Sequence, residues 1–172
     1  MLFVFCFLYF IMDKEEAEYL DFLLRQYRLC DAFWFLEVEK KFGLGAAVEL
    51  NENVWETIGG KGAREIKKRF KIEKKGLDGF MEALDYFPWT KITGYVMERE
   101  KDKLILTVPV CPPQASRIKS GQGEFPCKAM HTKDFSAFAK EIDENIVVKC
   151  IYAPLDKHPV DCFCRWEFTL KE

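Results

Sequence analysis

No CxxC pair occurs among the seven cysteines of this 172-residue chain, which excludes a zinc ribbon or finger by pattern. Seven cysteines are also too few for a disulfide scaffold, and an odd count leaves one thiol over. The apolar run MLFVFCFLYFI at 1–11 has eleven residues, about half of the ~20 that a membrane-spanning helix needs. It lacks the basic n-region and small-residue cleavage site of a signal peptide. Neither sign of charge dominates: 26 Lys and Arg stand against 28 Asp and Glu, for a net charge of −2. That balance argues against a general nucleic-acid binder. The glycine-rich GGKG at 59–62 follows a helical pattern rather than a strand and lacks the GK[ST] ending, so it is no phosphate-binding P-loop. The chain has no internal repeats and no low-complexity tract.

What is present is core material. Apolar residues make up 49% of the chain and aromatic residues 15%, enough for one globular domain. The run at 1–11 is expected to be a non-native or accessory leader. Met12, followed at once by the helix start DKEEAEYL, is then the natural initiator. A membrane-touching or packed segment and an export signal are the alternatives. Without a convincing export signal the expected location is the cytoplasm, no membrane partner is expected, and the thiols should be reduced.

Residues 12–172 read as a single α+β domain, helical over 12–88 and sheet-forming over 89–172. Leu20, Leu23, Tyr27, Cys30, Trp34 and Val38 recur at three- and four-residue steps, as on one packed face of an amphipathic helix. Asp13 is its expected N-cap and Gly43 its C-cap. A second helical region runs from Leu44 to Phe70, with an expected break at Gly59, Gly60 and Gly62, and a third runs from Leu77 to Phe87, stopped by Pro88. Alternation then predicts strands over Ile92–Arg99 and Lys103–Val110, ended by Pro112 and Pro113. A loop and a short helix capped by Thr132 follow, then strands over Asn145–Tyr152 and Cys162–Leu170. The fold expected is N-terminal helices packed on an antiparallel sheet of about four strands.

From Cys111 the spacing is C-x15-C-x22-C-x7-H-x3-C-x-C. If the last two strands form a hairpin with Tyr152 facing Cys162, then Cys150 faces Cys164, close enough for two thiolates to share a metal. Cys111 and Cys127 are expected at the same end of the sheet, and His158 in the connecting loop. Three readings stay open: buried cysteines acting as small apolar residues, a metal or iron–sulfur site, or a Cys–His nucleophile pair. The basic stretch KGAREIKKRFKIEKK at 61–75 carries eight basic residues against two acidic and reads as a solvated helix face, with a phosphate- or lipid-facing patch as the alternative. Asp31 reads either as a group reaching into a pocket or as an exposed polar position. Trp34, Trp55, Trp89 and Trp166 read mostly as core, some of them lining an apolar cavity, and His131 as an ordinary loop residue.

The segments CDAFWFLEVEKKFG, ELNENVWE, FPWTKI, FPCKAM…FSAFAKEID and C…HP…CRWEFTL resemble a family of small prokaryotic, cytosolic proteins of unknown function. The likeness covers residues 13 to 170. More distantly the chain is similar to L-2-amino-thiazoline-4-carboxylate hydrolase-like proteins and to 4-vinyl reductase-type small-molecule-binding domains. The resemblance implies cysteines at Cys111, Cys127, Cys150 and Cys164 and a His-Pro at His158–Pro159, with Cys162 an extra. The family's first cysteine is usually followed by a basic residue and then a glutamine; CPPQ keeps Gln114 but has prolines between.

Together these observations lead us to expect a zinc ion or iron–sulfur cluster on Cys111, Cys127, Cys150 and Cys164, with His158 in reserve. A small organic ligand would sit in an apolar pocket lined by Trp34 and Trp166. Two alternatives accompany it. One is a hydrolase using a cysteine nucleophile, His158 as base and Asp31 as orienter. The other is a non-catalytic interaction module whose helical half binds a partner or forms a homodimer.

Overall fold

The computed structural model describes residues 13–171; the leader expected at 1–11 and the start at Met12 lie outside them. Six helices and four strands are present among the described residues. The first helix, α1 (Lys14–Phe42), is opened by a reciprocal capping box between Asp13 and Glu16. Gly43, at φ 86°, is the single residue between it and α2 (Leu44–Arg69), a backbone conformation that glycine tolerates best. α2 runs unbroken through its glycines. A Cβ on Gly59 would collide with Asp134 Oδ1 and lie 2.6 Å from the Asp134 carbonyl oxygen, so the glycine serves close helix–helix approach rather than a break.

α3 (Gly76–Asp85) and α4 (Pro88–Thr93) follow. Pro88 starts α4 instead of merely ending α3, because a proline at the first helical position has no hydrogen bond to lose. For the same reason Pro112 and Pro113 begin α5 (Pro112–Lys119) where a loop was expected. α6 (Lys128–Ile142) begins one turn before Thr132, which leaves His131 on a helix rather than in a loop.

Strands β1 (Val96–Arg99), β2 (Lys103–Val108), β3 (Ile146–Tyr152) and β4 (Cys164–Leu170) form one antiparallel sheet in the order β1-β2-β4-β3. Alternation puts Leu104, Leu106 and Val108 of β2 and Cys164, Trp166 and Phe168 of β4 on its inner face, all buried. Aromatic rings lock the helices onto that face: Phe80 of α3 lies 4.6 Å from Phe168, and Phe135 of α6 lies 5.2 Å from Trp166, centroid to centroid. Helices first and sheet second is the architecture observed.

The expected register of the last hairpin is corrected. Cys150 pairs with Trp166, not Cys164, and an irregularity after Cys150 sets Tyr152 opposite Arg165. Cys164 pairs instead with Val108 of β2.

Candidate functional site

Between the C-terminal half of α1, α2, α4, α5, α6 and the end of the sheet lies a cavity of about 420 Å³. Its walls are mainly apolar, as in small-molecule sites generally. Trp55 of α2 and Trp89 of α4 form one wall, with centroids 5.6 Å apart and edge-to-face. Phe35 of α1 and Phe125 form another, 4.9 Å apart. Val108, Cys111, Cys127 and Cys164 close the sheet end.

Set into this apolar shell are two carboxyl groups and an imidazole. Asp31 comes from α1, and His131 and Asp134 come from α6, one turn apart and therefore on one helix face. Burial lifts the Asp31 carboxyl from the usual carboxylate range to about 6, although the Trp55 indole and the His131 charge offset part of that. Burial also raises Asp134, against the opposing pull of His131. The nearest approach between that pair is 3.9 Å, from His131 Nδ1 to Asp134 Oδ2. Tyr95 and Tyr27 stand close enough that the negative charge on Asp134 adds to burial in raising both phenols, Tyr27 to about 12.

These polar groups are not satisfied by one another. His131 Nδ1, Asp134 Oδ1 and Trp89 Nε1 are buried without a hydrogen-bond partner, and all three residues line the cavity. A buried polar atom left unpaired costs about 1–3 kcal/mol, and native proteins carry few of them.

The far side is pinned by polar contacts, with Arg117 Nε the one buried nitrogen among them left without a partner. Arg117 of α5 forks onto Glu39 of α1 with bonds of 2.6 and 3.1 Å, both residues being largely buried. Gln114, fully buried, donates through Nε2 to the Phe125 carbonyl and accepts from the Phe125 N–H, and it also donates to Cys127 Sγ at 3.3 Å. The glutamine in CPPQ thus holds the 120s loop against the cavity, and the prolines before it start the helix that carries it.

The cysteines fall into place around this site as neutral thiols. Burial pushes Cys111 up to about 11 and Cys127 up to about 12, and it raises Cys164 and, more weakly, Cys150. Cys111, Cys127 and Cys164 are close enough that a charge on one opposes a charge on the next. Raising a thiol in this way lowers its thiolate fraction at neutral pH, and with it the reactivity of the sulfur. Among the described residues, no group of three or more His, Cys, Asp or Glu side chains is placed to hold a metal ion.

His158 is outside the cavity lining. Its Nδ1 lies 2.8 Å from the Pro159 carbonyl oxygen and its Nε2 2.9 Å from Glu124 Oε1. Both partners are acceptors, so the ring donates twice and the imidazolium is favoured. That matches its raised pKa, of which the Pro159 carbonyl is the largest cause.

The pocket tryptophans differ from those expected. Trp34 points outward and is 70% exposed, while Trp166 is wholly buried under Phe135 and outside the cavity lining. Trp55 and Trp89 take their place. His131 and Asp134 were missed, although both fall on the α6 face marked by Phe135 and Phe138; that spacing was the available signal.

Fold and site define a small α+β protein with a partly open, mainly apolar cavity that carries acidic groups. The chain matches the model of a family of unknown function, DUF6125, over residues 12–170, and belongs to that family. No curated protein and no solved structure matches it. No helix among the described residues is long and apolar enough to cross a membrane.

Proposed function

We propose that the protein binds a small aromatic or heterocyclic molecule bearing a basic nitrogen in this cavity, and that Asp31 exchanges a proton with it. The observation that carries this reading is the lining of an apolar space of about 420 Å³ by His131 and Trp89, each with a buried nitrogen that no protein group pairs, beside the buried carboxyl groups of Asp31 and Asp134. A ligand able to donate to a carboxylate and accept from an indole N–H would satisfy them. The cavity is acidic on balance, since Arg117 is already neutralised by Glu39, and this favours a basic ligand over a carboxylate. A carboxyl group titrating at about 6 is suited to proton transfer near neutral pH. A zinc or iron–sulfur centre on the four cysteines has no part in this reading, because those thiols serve as cavity wall and core.

The test is titration of the full chain with 2-aminobenzimidazole and with benzimidazole-2-carboxylate, followed by tryptophan fluorescence. The amine is expected to bind and quench Trp55 and Trp89, with affinity falling as pH drops below about 6, where Asp31 protonates. Asp31→Asn, checked for folding by circular dichroism, should weaken it at least tenfold. Equal binding of the carboxylate, or no binding of either probe, refutes the reading.

A further inference from the structure

The helix α1 has no buried residue along its 29 positions. Part of the stripe expected to pack inward is turned out: Leu20, Leu23, Cys30 and Trp34 are exposed, while Tyr27 of that stripe meets the body together with Asp31 and Phe35. On the outward side Tyr19, Phe22, Leu23, Phe33 and Trp34 are each 44–70% exposed. Five large exposed apolar side chains on one helix are more than the scattered ones normal on a surface. Their arrangement is regular. Positions 16, 19, 23, 26, 30, 33, 37 and 40 follow alternating steps of three and four, the spacing of a coiled-coil seam.

The residues at those positions complement each other in reverse order. When two copies of α1 lie antiparallel about a two-fold axis near residue 28, residues whose numbers add to 56 stand opposite. Glu16 then meets the partner copy's position 40, a lysine, and Tyr19 meets position 37, a glutamate. Leu23 meets position 33, a phenylalanine, and Gln26 meets position 30, a cysteine. By the same rule Leu20 falls against position 36, a leucine, Phe22 against position 34, a tryptophan, and Glu15 against position 41, again a lysine. Acid meets base at the two ends and apolar meets apolar at Leu23, Leu20 and Phe22, while Tyr19 and Gln26 face a glutamate and a cysteine. A parallel pairing would set Glu16 on Glu16 and Lys40 on Lys40, which disfavours it.

We infer that the occupant of this face is a second copy of the same chain, joined through an antiparallel α1–α1 seam. A two-fold interface of this kind is self-complementary. The exposed aromatic and leucine side chains each have on the order of 100 Å² to lose, judged from the ~150–250 Å² that an aromatic side chain buries in full. Over both copies this reaches on the order of 1,000 Å², the size at which specific interfaces begin. The body of each copy lies on the far side of its own α1, so the two cavities stay apart and the seam does not depend on what they bind.

The experiment is sedimentation of the full chain over a concentration series, with two variants. Wild-type protein is expected to be a dimer at high concentration. Phe33→Glu should be monomeric with an unchanged circular dichroism spectrum, since that residue makes no core contact. Gln26→Cys should form a covalent dimer under mild oxidation, by a disulfide to the partner copy's native cysteine at position 30. Wild-type protein, in which the two native cysteines are offset along the seam, should form far less. A monomeric wild type overturns the inference. So does a dimer that persists in Phe33→Glu, or one that Gln26→Cys fails to cross-link, because association would then use another surface.

Discussion

Replacing Asp31 by Asn should make the ligand-free protein more stable at neutral pH, not less. The carboxyl group is raised from 3.8 to about 6, chiefly by burial. A folded-state pKa above the unfolded one means that the native state holds the proton more tightly. Asp31 therefore costs the fold nothing below pH 4, and its penalty grows as pH rises through 6. A shift of about two pKa units corresponds to roughly 3 kcal/mol at 1.36 kcal/mol per unit. The asparagine keeps the shape and the approach to Trp55 but carries no charge to desolvate. At pH 7.5 the variant should gain about 2–3 kcal/mol in urea unfolding, or about 5–10 °C in Tm for a domain of this size. The gain should shrink through pH 6 and vanish near pH 4. A basic ligand would reverse the ranking by pairing with the ionised carboxylate, so saturating 2-aminobenzimidazole should stabilise wild-type protein and leave Asp31→Asn unmoved. A difference in stability that does not change with pH, or a variant less stable at pH 7.5, would refute the assignment of Asp31 as a buried, ligand-facing acid.

Three further outcomes follow from the geometry. Gly59→Ala should lower stability by about 1–3 kcal/mol, the usual range for forced overpacking, because its Cβ meets Asp134; calorimetry giving a wild-type Tm would show that α2 and α6 are not in such close contact. Glu39→Gln leaves Arg117 buried and unpaired, a loss of about 3–5 kcal/mol for broken buried pairs, with α5 released from α1; urea unfolding within 1 kcal/mol of wild type would contradict it. Cys111, raised to about 11 from an ordinary 9, should alkylate about a hundredfold more slowly at pH 8 in the native state than in urea. Peptide mapping that finds Cys111, Cys127 and Cys164 reacting at their unfolded rates would return them to candidacy as nucleophiles.

The order of elements was legible because each signal was local. Asp13 with Glu16 three residues on is a capping box in the sequence and in the fold. The alternation in KLILTV and CRWEFTL gives the buried faces of β2 and β4. Errors arose where one residue type serves two ends. Pro88 and Pro112 can stop one helix or start another, and only the downstream chain decides which. Gly59 can break a helix or admit a neighbour, and what fixed its role was Asp134, 75 positions away.

Legibility of the site failed for a related reason, and the failure is instructive about α1. Periodicity identifies an apolar stripe but not its partner. On α1 two stripes coexist: Tyr27, Asp31 and Phe35 toward the cavity, and the seam from Tyr19 to Glu37 away from it. The stripe that periodicity predicts, Leu20, Leu23, Tyr27, Cys30, Trp34 and Val38, runs between the two and takes residues from both. It puts Trp34 in the pocket and leaves Asp31 at its edge. In the fold the packed face is turned toward Asp31 and Phe35, so the acid enters the cavity and the tryptophan faces outward. The cysteines pose a different case. Clustered in sequence and in space, they draw attention as ligands, yet burial makes them the least charged members of the site. The groups that the proposed reading relies on are Asp31, His131 and Asp134, set by helix geometry along the lining of the cavity.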